Sequence, residues 1–383
     1  MNKLECVLAT LRHEEPEVIP NQVEFFDDKS QQKFLPPVQA QDWREALIQQ
    51  YEFLDNFIVR VARSGFLMRT VEKSPDRSVI EFETGARWVI HRKPYWREYT
   101  SRPIQHPRDL DRFEMPDPDK PAARPGFTRN YEVDNMYKPN LAETSRYSGI
   151  AEDVSYFKQR GYFTTAEING FFSGVWYFLR GFEDFLMDMV TDEGFARQLV
   201  DMIGEFNLKD AKNLLDTGIH CIDFCDDLGH NRGMFISPKM YEKYFLPWHA
   251  RLAALCHSYG AYVNIHSHGN INEIMPMIVD AGIDILNPVG PSDGMNLAEL
   301  KRKYGHRITF FGGISKFIGE MDSDQLERHI RDVITAGAPC GGFILREEGG
   351  VPYTMSEQNF RFYLEISRKY RREKNYQREN GKG

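Results

Sequence analysis

From residue 147 onward the chain alternates short apolar runs with longer amphipathic ones, and this alternation limits its fold more than any other feature. The strand-like runs are 162–168, 220–225, 261–266, 283–287, 307–312 and 341–346. Between them lie helical patterns such as Glu193 to Thr217, Pro238 to Tyr259, Ile271 to Ala281, Asp322 to Ala336 and Ser356 to Lys369. Gly218, Gly260, Gly282 and Gly337 follow four of these helices, where a left-handed cap is expected. Alternating β and α units bury both faces of a parallel sheet. Six such strands, one more over 18–25 and a weaker one over 57–62 make eight, which predicts a (β/α)8 TIM barrel. An open doubly wound sheet is the alternative. That fold commonly carries a Gly-rich nucleotide loop after its first strand, and this chain has none.

The first half adds to this plan. A short amphipathic helix ends before Pro16, and Trp43 to Phe53 reads as another. Val79 to Glu83 and Ala86 to Ile90, with turns at Pro75-Asp76-Arg77 and Thr84-Gly85, predict an antiparallel β-rich elaboration. Residues 103–142 are rich in Pro, Asp and Arg and read as loop, either a lid or a surface crossing. The expected organisation is one barrel domain over 1–370, with elaboration and loops at 57–145, and a frayed polar tail over 371–383.

Composition excludes several classes. Apolar content of 41% and charged content of 27% are those of a soluble globular protein. A net charge of −8 gives no reason to expect nucleic-acid binding. No run approaches the ~18–20 apolar residues of a membrane span. The start, Met1 to Cys6, lacks a signal-peptide apolar core, so a cytoplasmic protein is expected. Five cysteines without a C-x-x-C pair fit reduced thiols, and Cys221 and Cys225 read as packing residues.

A barrel carries its chemistry at the C-terminal ends of its strands. The tetrad His266-Ser267-His268-Gly269 closes the run Tyr262-Val263-Asn264-Ile265-His266. With period two, Asn264, His266 and His268 share a face opposite Val263 and Ile265. Two imidazoles so placed suit a zinc-type ion, although two solvated loop histidines are the plain alternative. Glu347 and Glu348 follow the run Gly342 to Arg346 in a similar position. Glu348 is the expected third metal ligand, with Glu347, of opposite parity, as the alternate. Glu167 is a candidate fourth ligand or a general acid. Asp226 and Asp227 complete the catalytic candidates, and Glu24, Asn169 and Asn287 are the candidate substrate contacts. Each has a dull reading as a turn cap or a solvated charge.

The chain resembles the uroporphyrinogen decarboxylase superfamily and, within it, the zinc- and corrinoid-linked methyltransferases. The resemblance rests on Val7 to Leu11 with His13-Glu14-Glu15-Pro16 and Ile19-Pro20, and on Asp226-Asp227-Leu228-Gly229 with Ser237 to Tyr241. It also rests on His266 to Pro288 and on Glu348 to Asn359, with Pro352, Thr354 and Glu357 in register. Thiol-methylating members carry His-x-Cys-Gly and a later Cys. Here His268 and Glu348 hold those places, a harder donor set better suited to an ether oxygen than to a thiolate. The resemblance therefore implies the methyltransferase component of an O-demethylase. Such a component takes a methyl group from a methoxylated, aromatic substrate to the Co(I) corrinoid (cobalamin) of a partner protein, with Zn2+ polarising the ether oxygen. The implied partners are a corrinoid protein and the small substrate; a homodimer is left open. Phe171, Phe172, Trp176, Tyr177, Phe310 and Phe311 are pocket candidates, or core.

The rival readings are a true decarboxylase, a non-catalytic barrel scaffold for a corrinoid protein, and a metal-dependent hydrolase. The decarboxylase uses an Arg-rich segment near its N-terminus, where Leu11 to Pro16 is acidic here. The hydrolase carries H-x-H on its first strand, whereas here it falls on about the fifth.

Overall fold

A computed structural model describes residues 1–40, 42–93, 95–122, 126–129 and 146–373. Thirteen α-helices and thirteen strands are present among the described residues. The barrel strands are β1 (Ile58–Arg63), β6 (Phe163–Ile168), β7 (Cys221–Cys225), β10 (Tyr262–His266), β11 (Ile285–Asn287), β12 (Thr309–Ile314) and β13 (Phe343–Glu347). They form one curled parallel sheet in the order β1-β6-β7-β10-β11-β12-β13. Four others, β2 (Met68–Lys73), β3 (Arg77–Phe82), β4 (Arg87–Arg92) and β5 (Tyr95–Ser101), make the antiparallel elaboration. Two-residue strands β8 (Gly229–His230) and β9 (Gly233–Met234) form a small hairpin above β7.

The eighth barrel position differs from expectation. The segment from Pro20 to Phe26 lies between the two edge strands but makes only isolated bridges, Asn21 to Leu345 and Phe25 to Val351. Leu345 N donates to Pro20 O and Gln22 N to Leu345 O on one side, and Phe57 N donates to Asn21 O on the other. A full ladder is prevented by chemistry. Pro20 has no N–H to give, and Val23 N is taken by the Asn56 side chain at 2.7 Å. The barrel is thus closed by an extended segment rather than by a paired eighth strand.

The helix Lys3–Leu11 closes the far end. Its Asn2 and Glu5 form a capping box that satisfies two free N–H groups of the first turn. Cys6, Val7 and Leu11 pack with Phe57, Ile58, Phe163, Cys221, Ile285, Phe311 and Ile344. With this end plugged, the strands' C-terminal end remains open.

Other expectations are adjusted locally. The run Pro238 to Tyr259 is two helices, Pro238–Tyr244 and Leu246–Ser258, because Pro247 starts the second. Gly218, Gly260 and Gly282 take the left-handed conformation, with φ of 79°, 66° and 84°. Gly337 instead ends the helix Ser323–Gly337 and lies against Phe343, where a Cβ would come within 2.5 Å of the ring. Of the loop expected at 103–142, the described part carries one short 3-10 turn, Pro107–Asp111, and 130–142 lie outside the described residues. Arg371, expected to begin a frayed tail, is buried in the helix Glu357–Arg372 and paired with Asp55. Residues 374–383 lie outside the described residues.

Candidate metal centre

Strand register brings the site together. Cys225 on β7 pairs with His266 on β10, and His266 pairs with Asn287 on β11, so the three form one row at the open end. The next row down holds Glu167, Asp223 and Asn264. One donor atom each from Cys225, Asp227 and His266 lies within 4.8 Å of the others, the one group of this kind among the described residues.

Each donor is held by its other side. His266 Nδ1 lies 2.6 Å from Asn287 Oδ1. The Asn287 amide is fixed, because its Nδ2 donates to Phe311 O at 2.9 Å and Arg346 Nη1 donates to its Oδ1 at 3.2 Å. The His266 proton therefore sits on Nδ1, and the Nε2 lone pair is free for an ion. Burial pushes the His266 imidazole down to about 4, so it is neutral at pH 7. Asp227 Oδ1 accepts from His268 N at 2.9 Å. Burial raises the Cys225 thiol, and the nearby Asp227, Glu167 and Asp226 raise it further. The thiol is thus protonated until a cation displaces its proton.

The structure separates the residues expected from sequence into those near this trio and those bound elsewhere. His268 is half-exposed; its ring centre lies 4.9 Å from that of His266, and its Nδ1 lies 3.7 Å from Asp293 Oδ2. Glu348 accepts from Ser292 Oγ, from Ser292 N at 3.3 Å and from Lys316 N at 3.1 Å. His266, His268 and Glu348 therefore do not form the compact donor group; Cys225, read as packing, and Asp227, read as catalytic, join His266 instead. Cys221, Asp223 and Cys225 alternate along one strand, and that period-two pattern was the available signal.

Glu347 points away from the barrel axis, where it accepts from Tyr363 Oη at 2.5 Å and from Glu24 N at 3.4 Å. Its burial pushes the carboxyl up to about 7. Asp226 is fully buried, and its carboxylate is engaged by Phe171 N, Ser173 N and His249. Asn287 is likewise buried, and its amide is spent on His266. Burial alone would raise the Glu167 carboxyl, but Arg63 at 3.0 Å and Arg60 at 3.3 Å hold it below the ordinary range. It therefore carries no proton to give as a general acid. Glu24 is held low in the same way: burial opposes, and Arg346, 2.6 Å away, outweighs it only together with Arg60 and Arg63.

Glu24, Asn169 and Glu167 line a cavity of about 1110 Å3 that reaches Cys225. The elaboration forms one wall through Phe82, Trp88 and Ile90. Of the six aromatic pocket candidates, Tyr177 and Phe311 line the cavity. Phe171, Phe172 and Phe310 are core, and Trp176 packs against it. Arg60, Arg63, Arg92, Arg97, Arg129 and Arg346 also line the cavity. None of these arginines comes from the acidic segment Leu11 to Pro16. No helix among the described residues is long and apolar enough to cross a membrane.

A TIM-barrel-like fold with three side chains at its open end that could hold an ion, beside a cavity lined by both apolar and charged residues, defines a class of barrel protein with its polar groups gathered at the strands' C-terminal end. Residues 103–370 match the sequence model of the uroporphyrinogen decarboxylase (URO-D) family, and the chain belongs to that family. The fold is shared with a methyltransferase from Methanosarcina mazei, with a TM-score of 0.64 at 13% identity, over 97% of this chain and 99% of that one. A B12-independent methionine synthase from Shewanella sp. W3-18-1 also matches, with a TM-score of 0.42 at 12% identity, over 63% of this chain and 70% of that one. No curated protein sequence matches.

Proposed function

We propose that this protein is a zinc-dependent methyltransferase that moves a methyl group from a methoxylated aromatic compound to the Co(I) corrinoid of a partner protein. The observation that carries this reading is the grouping of Cys225, Asp227 and His266 at the open barrel end, beside the cavity. Sulfur, oxygen and nitrogen donors fit zinc, and three protein ligands leave a position for substrate. A zinc held there supplies Lewis acidity toward an ether oxygen.

The chain's own residues do the rest. Asn287 fixes the His266 tautomer, and His268 N fixes Asp227. Trp88, Tyr177 and Phe311 offer flat apolar walls to an aromatic ring, with Glu24 and Asn169 as polar contacts for its substituents. His268, with its ring centre 4.9 Å from that of His266, is a candidate for a further ligand, whereas Glu348 would first have to leave Ser292 and Lys316. In the transfer, the electron pair of the O–CH3 bond stays on oxygen as a phenolate, and the acceptor supplies the pair that binds the methyl carbon. No proton is needed in that step, in keeping with an ionised Glu167.

A second reading, decarboxylation of a carboxylated substrate, is favoured by the six arginines that line the cavity. One experiment separates the two. Zinc-loaded protein is mixed with methoxylated aromatics and a Co(I) corrinoid protein, and methyl–cobalt formation is followed by visible absorbance. Methyl–cobalt with a matching phenol supports the first reading. CO2 release from a carboxylated substrate, without methyl–cobalt, overturns it in favour of the second.

A further inference from the structure

The sequence Cys225-Asp226-Asp227 places two candidate donors on either side of a residue that faces the other way. Asp226 has no access to the cavity, yet its carboxylate is surrounded by donors. Ser173 N reaches Oδ1 at 2.9 Å, Phe171 N reaches Oδ2 at 3.0 Å, and His249 Nε2 lies 3.0 Å from the same Oδ2. His249 is itself fully buried, and its Nδ1 lies 3.0 Å from Tyr241 Oη. The network is satisfied when Tyr241 O–H donates to Nδ1 and Nε2–H donates to Asp226.

The same segment is pinned at two further points. Asp226 N donates to His266 O at 2.8 Å, and Ser173 Oγ donates to Cys225 O at 2.5 Å. Gly170 permits this approach, since a Cβ there would lie 2.0 Å from Cys225 O and 2.3 Å from Asp226 Oδ1. Three neighbouring elements thus converge on one residue: the first turn of the helix Phe172–Phe178, the helix Leu246–Ser258 through His249, and the end of β10.

We infer that Asp226 is a positioning residue that sets the spacing of the donors Cys225 and Asp227 against His266, through its clamp on Phe171, Ser173 and His249. This rests on the reading of that trio as a metal site. Asp226→Asn is the sharp test, because the amide NH2 must face Phe171 N–H or Ser173 N–H, which need acceptors.

The test uses Co(II) in place of zinc on the full chain. Kd is measured by chelator competition, and the thiolate-to-cobalt band in the near ultraviolet reports Cys225. Asp226→Asn is expected to weaken binding by about ten- to a hundredfold, as loss of such an outer partner does, and to diminish the band. Ser173→Ala, which frees the Cys225 carbonyl and leaves the core filled, is expected to shift Kd and band the same way by less. Asp284→Asn is the matched control. Its carboxylate also accepts a backbone N–H, from Val263, and contacts a histidine, His257, but at the opposite end of β10. It should lower the melting temperature and leave Kd unchanged. Wild-type Kd and band in both Asp226→Asn and Ser173→Ala would overturn the inference, and Ser173→Ala alone decides if the other does not fold. A wild-type protein that binds no Co(II) would instead overturn the metal reading, and the inference with it.

Discussion

The imidazole of His266 and the amide of Asn287 are 2.6 Å apart, and the amide cannot turn to offer its other end because Phe311 O and Arg346 Nη1 fix both of its atoms. One residue without access to the cavity thereby selects which nitrogen of His266 can bind an ion. Asn287→Ala should leave the ring free to take either tautomer and weaken zinc binding by about ten- to a hundredfold. Chelator competition measures the loss, and nitrogen-15 shifts of His266 report the tautomer. An unchanged Kd with a mixed tautomer would show that the bond does not govern the site.

Metal content separates two ligand sets. Cys225→Ser and His266→Ala are both expected to lower bound zinc well below one per chain by elemental analysis. Glu348→Ala should keep its zinc, because that carboxylate is engaged by Ser292 and Lys316. Zinc lost from Glu348→Ala but retained by Cys225→Ser would reverse the assignment.

Zinc uptake should release a proton. Burial keeps the Cys225 thiol protonated at pH 7, whereas His266, pushed down to about 4, is already neutral. One proton per zinc, from Cys225, is therefore expected, and affinity should rise by about tenfold per pH unit near neutrality. Calorimetry in buffers of different ionisation enthalpy counts the proton; identical heats in all buffers would contradict this.

Glu347 should impose a pH dependence on stability. Burial raises its folded-state value to about 7 from an ordinary 4.5. A raised carboxyl favours the folded state while it is protonated, so its contribution is present at acidic pH and is lost as pH rises through 7. The span is roughly 3 kcal/mol. Glu347→Gln cannot ionise, so its stability relative to wild type should increase between pH 5 and pH 8 in urea unfolding. A difference that stays constant across that range would remove Glu347 as the cause.

Sequence periodicity placed all seven paired barrel strands, the weaker run at 57–62 included, because burying both faces of a parallel strand writes a continuous apolar run into the chain. It also located the rim, from which His266 and Asp227 do come together. Gly269 of the His-Ser-His-Gly tetrad shows the same local legibility: its φ of 89° and a Cβ position 2.0 Å from Gly229 C both demand glycine. Partner choice was not local. Cys225 joins His266 because two strands that lie about forty residues apart in sequence meet in register. Asp226 turns away from Asp227 toward His249, a residue whose role nothing in its own helix announces. Glu348 is captured by Ser292 and Lys316 from two other segments, and the cavity's arginines arrive from four strands, β1, β4, β5 and β13, and from Arg129 outside them. A sequence determines which side chains each element presents and on which face, since that follows from backbone geometry within a few residues. Which of them share a proton, an ion or a hydrogen bond is set by the register and twist of the closed sheet, and only the tertiary structure decides that.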